Sequence, residues 1–327
     1  MSNTAENLKQ VVRDAYSKIA TLPRDESTTA CCGSGPCSGV QSSFMMAGED
    51  YATMPGYNPD ADLGLGCGIP TQFSGIRTGD TVVDLGSGAG NDAFIARAQT
   101  GEPGRVIGVD MTPAMLEKAR SNNAKLGFEN VDFVRGEIED LPLKDAIADV
   151  VLSNCVLNLV PDKTKAFAEI YRVLKPGGHF TISDIVLDGQ LPEELRKAAE
   201  LYAGCVSGAM QKREYLGLIV ERGFQGISLL KEKNITIPDD ILATYLTPEQ
   251  LSEFHALDMG IKSITVTATR PASKPNNVFP WMKASQAAPD QKAASSCCGG
   301  PPKTNEDACC VKDEEAKASG SSGCGCS

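Results

Sequence analysis

A thiol at the end of an apolar run carries the most chemistry in this chain. Val150-Val151-Leu152-Ser153-Asn154-Cys155 reads as a buried parallel strand that ends on Cys155. About seventy residues earlier, Val82-Val83-Asp84-Leu85-Gly86-Ser87-Gly88-Ala89-Gly90 reads as a strand running into a glycine loop and then a helix. In an open α/β sheet, ligands sit outside the carboxyl ends of the strands, where the strand order reverses. A glycine loop on one such strand and a thiol on another bring a nucleotide-like cofactor and a soft sulfur ligand to one crevice. Thiolates select soft cations and metalloids.

Twelve cysteines are present, unevenly placed. Cys31, Cys32, Cys37, Cys67, Cys155 and Cys205 lie in the body; Cys297, Cys298, Cys309, Cys310, Cys324 and Cys326 lie near the end. A long chain with no export signal points to reduced thiols that bind or react rather than to a disulfide framework. Each also has a plainer reading as a small buried hydrophobe. This applies to Cys155 after its strand, and to Cys205 in Ala203-Gly204-Cys205 on an expected helix. Cys31, Cys32 and Cys37 could form a small zinc knot, but Cys-Cys-x4-Cys is poor zinc spacing. The two histidines, His179 and His255, are far from it in sequence and receive no role.

The elements that would position these groups follow from composition and pattern. The chain has 327 residues and is 41% hydrophobic, enough for one large domain or two smaller ones. A net charge of −11 argues against nucleic acid as a partner. No apolar run approaches the roughly 18–20 residues of a membrane span. Met-Ser-Asn-Thr-Ala-Glu-Asn-Leu at the start has no signal-peptide core. A cytoplasmic, monomeric protein is expected. Leu8, Val11, Val12, Ala15 and Ile19 predict a helix over 5–20. Strands are predicted at 81–85, 105–109, 131–135, 148–153 and 179–186, alternating with helices, which implies a parallel sheet. The helix after Asp110 takes Thr112 as N-cap, Pro113 at its first position and Gly127 past its end. Another runs from Lys163 to Leu174 and stops at Lys175-Pro176-Gly177-Gly178. Beyond 188, a helix around 193–209 and strands near 227–237 and 264–269 read as an appendage on the same sheet. Residues 271–327 hold six Lys against six Asp and Glu, are rich in Pro, Gly and Ser, and read as a disordered tail. Its thiols capture a soft ligand, or are incidental. The expected division is 1–70, N-terminal helix and cysteine loops; 71–187, cofactor domain; 188–270, appended α+β region; 271–327, tail.

The loop reads Gly86-x-Gly88-x-Gly90, and Asp110 ends the next strand twenty residues on, where an acid can hold ribose hydroxyls. Taken alone, this is a turn without a ligand or a dinucleotide site, although the glycine spacing is wrong for the latter. Two further motifs occur in order, Gly136-Glu137-Ile138-Glu139-Asp140-Leu141-Pro142 and Arg172-Val173-Leu174-Lys175-Pro176-Gly177-Gly178. Together the four resemble the class I S-adenosylmethionine-dependent methyltransferases over about 80–187. The resemblance implies a Rossmann-like, doubly wound, mostly parallel sheet. It implies a cofactor site of Asp84, Gly86, Ser87, Gly88 and Gly90 by the methionine part, Asp110 and Met111 at the ribose, Glu137 and Ile138 beside the adenine, and Asn154.

The thiols narrow the acceptor. Trivalent arsenic bound by three thiolates keeps a lone pair on its open face and needs no deprotonation, so no general base is required. Four segments resemble the arsenite S-adenosylmethionine methyltransferases: Thr28-Thr29-Ala30-Cys31-Cys32; Gly64-Leu65-Gly66-Cys67-Gly68; Ser153-Asn154-Cys155-Val156-Leu157-Asn158-Leu159; and Gly204-Cys205-Val206-Ser207-Gly208-Ala209. That resemblance implies that Cys155 and Cys205 hold arsenic with Cys67 as third ligand and redox partner. Cys31 or Cys32 then helps capture and pairs with Cys67 when electrons are withdrawn. It implies a thiol reductant, glutathione or thioredoxin, as co-substrate. One departure is Leu65, where many members carry an aromatic residue. A methyltransferase of another small molecule and a non-catalytic metalloid-binding protein stand as the alternatives.

Overall fold

The computed structural model describes residues 5–21, 50–189, 208–235, 239–243, 246–256, 260–273 and 319–320. Residues up to Ser273 form one compact unit. Its frame is a seven-stranded sheet of β1 (Thr81–Leu85), β2 (Arg105–Asp110), β3 (Val131–Arg135), β4 (Ala148–Asn154), β5 (Leu174–Asp188), β6 (Gln225–Ile235) and β7 (Gly260–Thr269). The order across the sheet is β3-β2-β1-β4-β5-β7-β6. β1 pairs parallel with β2 on one side and β4 on the other, so the strand order reverses there. β7 runs antiparallel between β5 and β6. The doubly wound, mostly parallel sheet implied by the sequence is present.

The central strands are nearly continuous apolar runs because helices cover both faces. Against one face pack α5 (Lys163–Val173) and α6 (Lys212–Glu221), with Phe167, Phe180, Tyr215 and Phe224 in edge-to-face and tilted contact. Against the other pack α3 (Asn91–Thr100) and α4 (Pro113–Leu126), through Phe94, Met115 and Leu116. α1 (Ala5–Thr21) lies on α4, and the short α2 (Pro70–Phe73) follows the Cys67 loop. α7 (Asp239–Leu242) and α8 (Pro248–Ala256) lie between β6 and β7. No helix among the described residues is long and apolar enough to cross a membrane.

Several local expectations hold with adjusted detail. α4 begins at Pro113 and ends at Gly127, whose left-handed φ of 69° lets its N–H reach the Asn123 carbonyl. Thr112 occupies the N-cap position, but its side chain makes no capping bond; Asp110 Oδ1 accepts the Thr112 N–H at 2.7 Å instead. α5 ends a residue early and passes directly into β5, which starts at Leu174 rather than 179. The Lys175-Pro176-Gly177-Gly178 stretch is therefore an irregularity inside β5. Ala148 pairs with Leu174, but Val150 pairs with His179, and Gly177 takes φ 84° to absorb the extra residues. Residues 193–207 of the helix expected around 193–209, and all of the expected tail but 271–273 and 319–320, lie outside the described residues.

Candidate active site

The ends of β1, β2 and β4 open on a cleft at the reversal of strand order. The β1 loop forms its floor. Gly86 and Ser87 N–H groups donate to the Val109 carbonyl at 2.7 and 3.1 Å. Gly88 N–H donates to Asp110 Oδ2 at 3.0 Å. Asp110 thus fixes the loop and the start of α4 with one lone pair on each oxygen, leaving others toward the cleft. Gly86 has φ 65°, and a Cβ there would come 2.5 Å from Val156, so close approach and conformation both require glycine. Gly90, at φ 100°, does not line the cleft. A Cβ on it would press on the rings of Phe94 and Phe133, so its work is to turn the loop into α3.

Asp84, Ser87, Gly88, Asp110, Met111, Glu137, Ile138, Asn154 and Cys155 all line the cleft, as the sequence reading proposed. Three buried polar atoms along it, Asp84 Oδ2, Ser87 Oγ and Asn91 Oδ1, have no hydrogen-bond partner among the described residues. Buried polar atoms are rarely left so, and a polar ligand with donors satisfies them. The acids also favour positive charge. Burial, then the charges of Asp92 and Asp110, push Asp84 well above the ordinary carboxylate range. Burial pushes Asp92 up to about 6 despite hydrogen bonds from Asn154, Tyr51 and Thr71. A bound cation would restore their ionised forms. The cleft therefore fits a ligand with an amino group, hydroxyls and a positive centre, as S-adenosylmethionine has.

Helix α1 covers the cleft with Lys9, Val12 and Tyr16. Lys9 bridges Glu137 (2.6 Å) and Glu139, and Arg13 approaches Glu137 at 3.6 Å. Burial would lower the Lys9 pKa, but the bonds to Glu137 and Glu139 outweigh it. The helix was legible in the sequence, but its role as a cover was not.

Cys67 and Cys155 are both buried, at 2% and 4% exposure. Cys155 directly follows β4 and takes φ 59°, one of two non-glycine residues in the left-handed region among those described. Such strain persists where the surroundings over-determine it; here its N–H donates to the Ser183 carbonyl at 2.7 Å. Cys67 is fixed through its backbone. Its N–H donates to Asn154 Oδ1 at 3.1 Å, and its carbonyl accepts from Ser263 Oγ at 2.6 Å. Both thiols lie near one phenol: after burial and Asp184, the charges of Cys67 and Cys155 add to the forces holding Tyr215 protonated. Cys31, Cys32 and Cys205 lie outside the described residues. Tyr51, Asp92 and Lys9 were missed by sequence reasoning. Asp92 reads as an ordinary acid in a helix's first turn, and Tyr51 stands in a segment without periodicity.

The strand order, with β7 antiparallel between β5 and β6, and the glycine cleft at the reversal define a class I methyltransferase. The family described as a methyltransferase domain matches residues 76–223. The arsenite methyltransferase of Halobacterium salinarum is 38% identical over 278 residues, covering 82% of this chain and 68% of that protein. The chain belongs to the arsenite methyltransferase family. The arsenite methyltransferase of Aquipseudomonas alcaligenes is 34% identical over 257 residues, 73% of this chain and 68% of that one. The crystal structure of an arsenic(III) S-adenosylmethionine methyltransferase from Chlamydomonas reinhardtii superposes with a TM-score of 0.53 at 38% identity, covering 64% of this chain and 68% of that one.

Proposed function

We propose that this protein methylates thiolate-bound trivalent arsenic at the mouth of the cleft, with Cys67, Cys155 and Cys205 as the arsenic ligands. The observation that carries this reading is Asn154: its side chain lines the cleft, binds the Cys67 backbone, and directly precedes Cys155. One residue thus ties the methyl-donor crevice to two thiols. Cys205 joins this set on the likeness of Gly204-Cys205-Val206-Ser207-Gly208-Ala209 to the family's segment.

When bound, S-adenosylmethionine supplies a methyl group on a positive sulfonium. Asp110 would hold the ribose, Glu137 and Ile138 would flank the adenine, and Asp84, Ser87 and the glycine loop would hold the methionine part. The Lys9 pair with Glu137 keeps α1 over the cleft and limits water. The thiolates do the rest. Arsenite arrives as a thiol adduct, and each cysteine thiol gives its proton to the thiolate it displaces. Arsenic on three thiolates presents its lone pair for the new As–C bond, and orientation supplies most of the acceleration. No side chain must remove a proton from the acceptor. Methylation takes arsenic from trivalent to pentavalent. Two thiols return the electron pair as a disulfide, Cys67 with Cys31 or Cys32, and glutathione or thioredoxin resets it by exchange.

The test is arsenic speciation with single Ser variants, with S-adenosylmethionine and thiol supplied. Cys155→Ser and Cys205→Ser should abolish methylation of both arsenite and monomethylated trivalent arsenic. Cys67→Ser should spare the monomethylated substrate, whose carbon already fills one position. Wild-type rates on arsenite for Cys155→Ser would remove the thiolate site.

A further inference from the structure

The backbone of the Gly66–Gly68 loop is held by groups that belong to none of the thiolates. Asn154 takes the Cys67 N–H on its Oδ1, 4.0 Å from Cys67 Sγ, and its Nδ2 donates among the Gly68 carbonyl (2.8 Å), Asp92 Oδ2 (3.0 Å) and the Tyr51 hydroxyl (2.5 Å). The Tyr51 hydroxyl reaches the same Gly68 carbonyl at 2.8 Å and the Asp92 oxygens at 3.1 and 3.2 Å. The Tyr51 ring is buried against Ile69 and Ile95, so the hydroxyl has little room to move. The loop is also flattened from both sides. A Cβ at Gly66 would come 2.7 Å from Asn154 Nδ2, and one at Gly68 would come 2.6 Å from Ser183 Oγ.

A count of protons gives Tyr51 its place. The carboxamide has two hydrogens and the phenol one; the acceptors are the Gly68 carbonyl, the Tyr51 oxygen and Asp92. Without the phenol the two carboxamide hydrogens keep the Gly68 carbonyl and Asp92, but Asn154 loses its shortest contact and the Gly68 carbonyl loses one of its two donors. The backbone on either side of Cys67 is then held to Asn154 and Asp92 by fewer bonds, and its position relative to the carboxamide loosens. Because Asn154 and Cys155 are adjacent in the chain, the same phenol fixes one thiol relative to the other.

We propose that Tyr51 is a positioning residue for Cys67, holding through Asn154 the geometry in which Cys67 serves as the third thiolate. The proposal rests on the thiolate-site reading above. Burial keeps the phenol protonated, well above its ordinary range, so it remains a donor throughout.

Tyr51→Phe keeps the buried ring and removes only the hydroxyl. Two readouts use the full-length enzyme with Cys67→Ser beside it. In the first, the ratio of initial rates on arsenite and on monomethylated trivalent arsenic should fall about tenfold in Tyr51→Phe, since only the inorganic substrate needs the third thiolate. General damage to the fold lowers both rates together and leaves the ratio unchanged. In the second, without substrate, iodoacetamide labelling mapped by mass spectrometry should show Cys67 alkylated severalfold faster relative to Cys155 than in wild type. An unchanged rate ratio and an unchanged labelling ratio, while Cys67→Ser does discriminate the substrates, would overturn the role of Tyr51. Failure of Cys67→Ser to discriminate would instead sink the thiolate reading; the labelling ratio would still decide whether Tyr51 positions Cys67.

Discussion

Two acids show how single residues set the properties of this site. Asp110 gives one oxygen to Gly88 N–H and the other to Thr112 N–H while lining the cleft. Asp110→Ala should weaken S-adenosylhomocysteine binding by about 1–3 kcal/mol, the usual cost of stranding hydrogen-bonded groups. Calorimetry showing unchanged affinity would take Asp110 out of the cofactor site. Asp184 follows the Ser183 whose carbonyl holds Cys155, and it is fully buried, with the Tyr215 hydroxyl donating to it at 3.2 Å. Burial raises it from 3.8 to about 7, against the Ile185 N–H, the Lys163 charge and Tyr215. Between those two values the folded protein binds more protons than the unfolded chain. Stability contributed by this group therefore falls as pH rises from about 4 to about 7, and stays lower above that. Asp84 and Asp92 act in the same direction. Asp184→Asn should shrink the drop in melting temperature between about pH 5 and about pH 8, without removing it. Parallel melting curves for variant and wild type would show that the buried carboxyl does not titrate in that window.

At the scale of elements, the site depends on close backbone approaches more than on helix propensity. The segment entering α6 crosses the turn after β4 at Gly208 and Asn158. Asn158 is itself pinned, its Nδ2 donating to the Ile185 carbonyl at 2.8 Å, and Leu187 N–H meets the Met210 carbonyl at 3.0 Å. Gly208 has no left-handed requirement, so an added methyl acts through space alone, and the atom it meets is main chain. Gly208→Ala should destabilise the protein by about 1–3 kcal/mol, the range for overpacking. It should also weaken binding of phenylarsine oxide, a dithiol probe, if the neighbouring segment carries an arsenic ligand. A wild-type melting curve would mean that the two backbones do not touch. β4 and β5 show the same dependence: the Cys155 N–H is held by β5, so the thiol's direction is decided by a strand nearly thirty residues further on.

For the whole molecule, the compact unit closes at Ser273. Its last anchor is Arg270, whose guanidinium donates to the carbonyls of Tyr171, Arg172 and Leu174 and lies 4.8 Å over the Tyr171 ring. The Arg270 backbone pairs with Gly177 and Gly178. A chain ending at Ser273 should keep the full-length melting temperature and maximal rate, whereas one ending before Arg270 should lose both. A lower melting temperature for the chain ending at Ser273 would show that later residues pack on this unit. If the terminal thiols capture arsenic, truncation at Ser273 should raise the apparent KM for arsenite at low external thiol, and added glutathione should mask the change.

The strands, the glycine loop and the end caps of α4 were legible in sequence because each is a local signal: apolar runs, positive-φ glycines, a proline at the first helical position. That residues after β1, β2 and β3 share one cleft was indicated by the resemblance those motifs carry, since strand ends and loops lie next to each other in the chain. The start of β5 was misplaced because a proline and two glycines look like a stop, whereas pairing with β4 and Arg270 holds them in the sheet. Tyr51 and Asp92 were invisible for a different reason. Both take a hydrogen bond from Asn154, and no periodicity records bonds that span 103 residues for Tyr51 and 62 for Asp92. Sequence by itself determined which thiols and which crevice this chain has. Only tertiary structure decided what holds a thiol in place, because that depends on backbone groups brought together by the sheet.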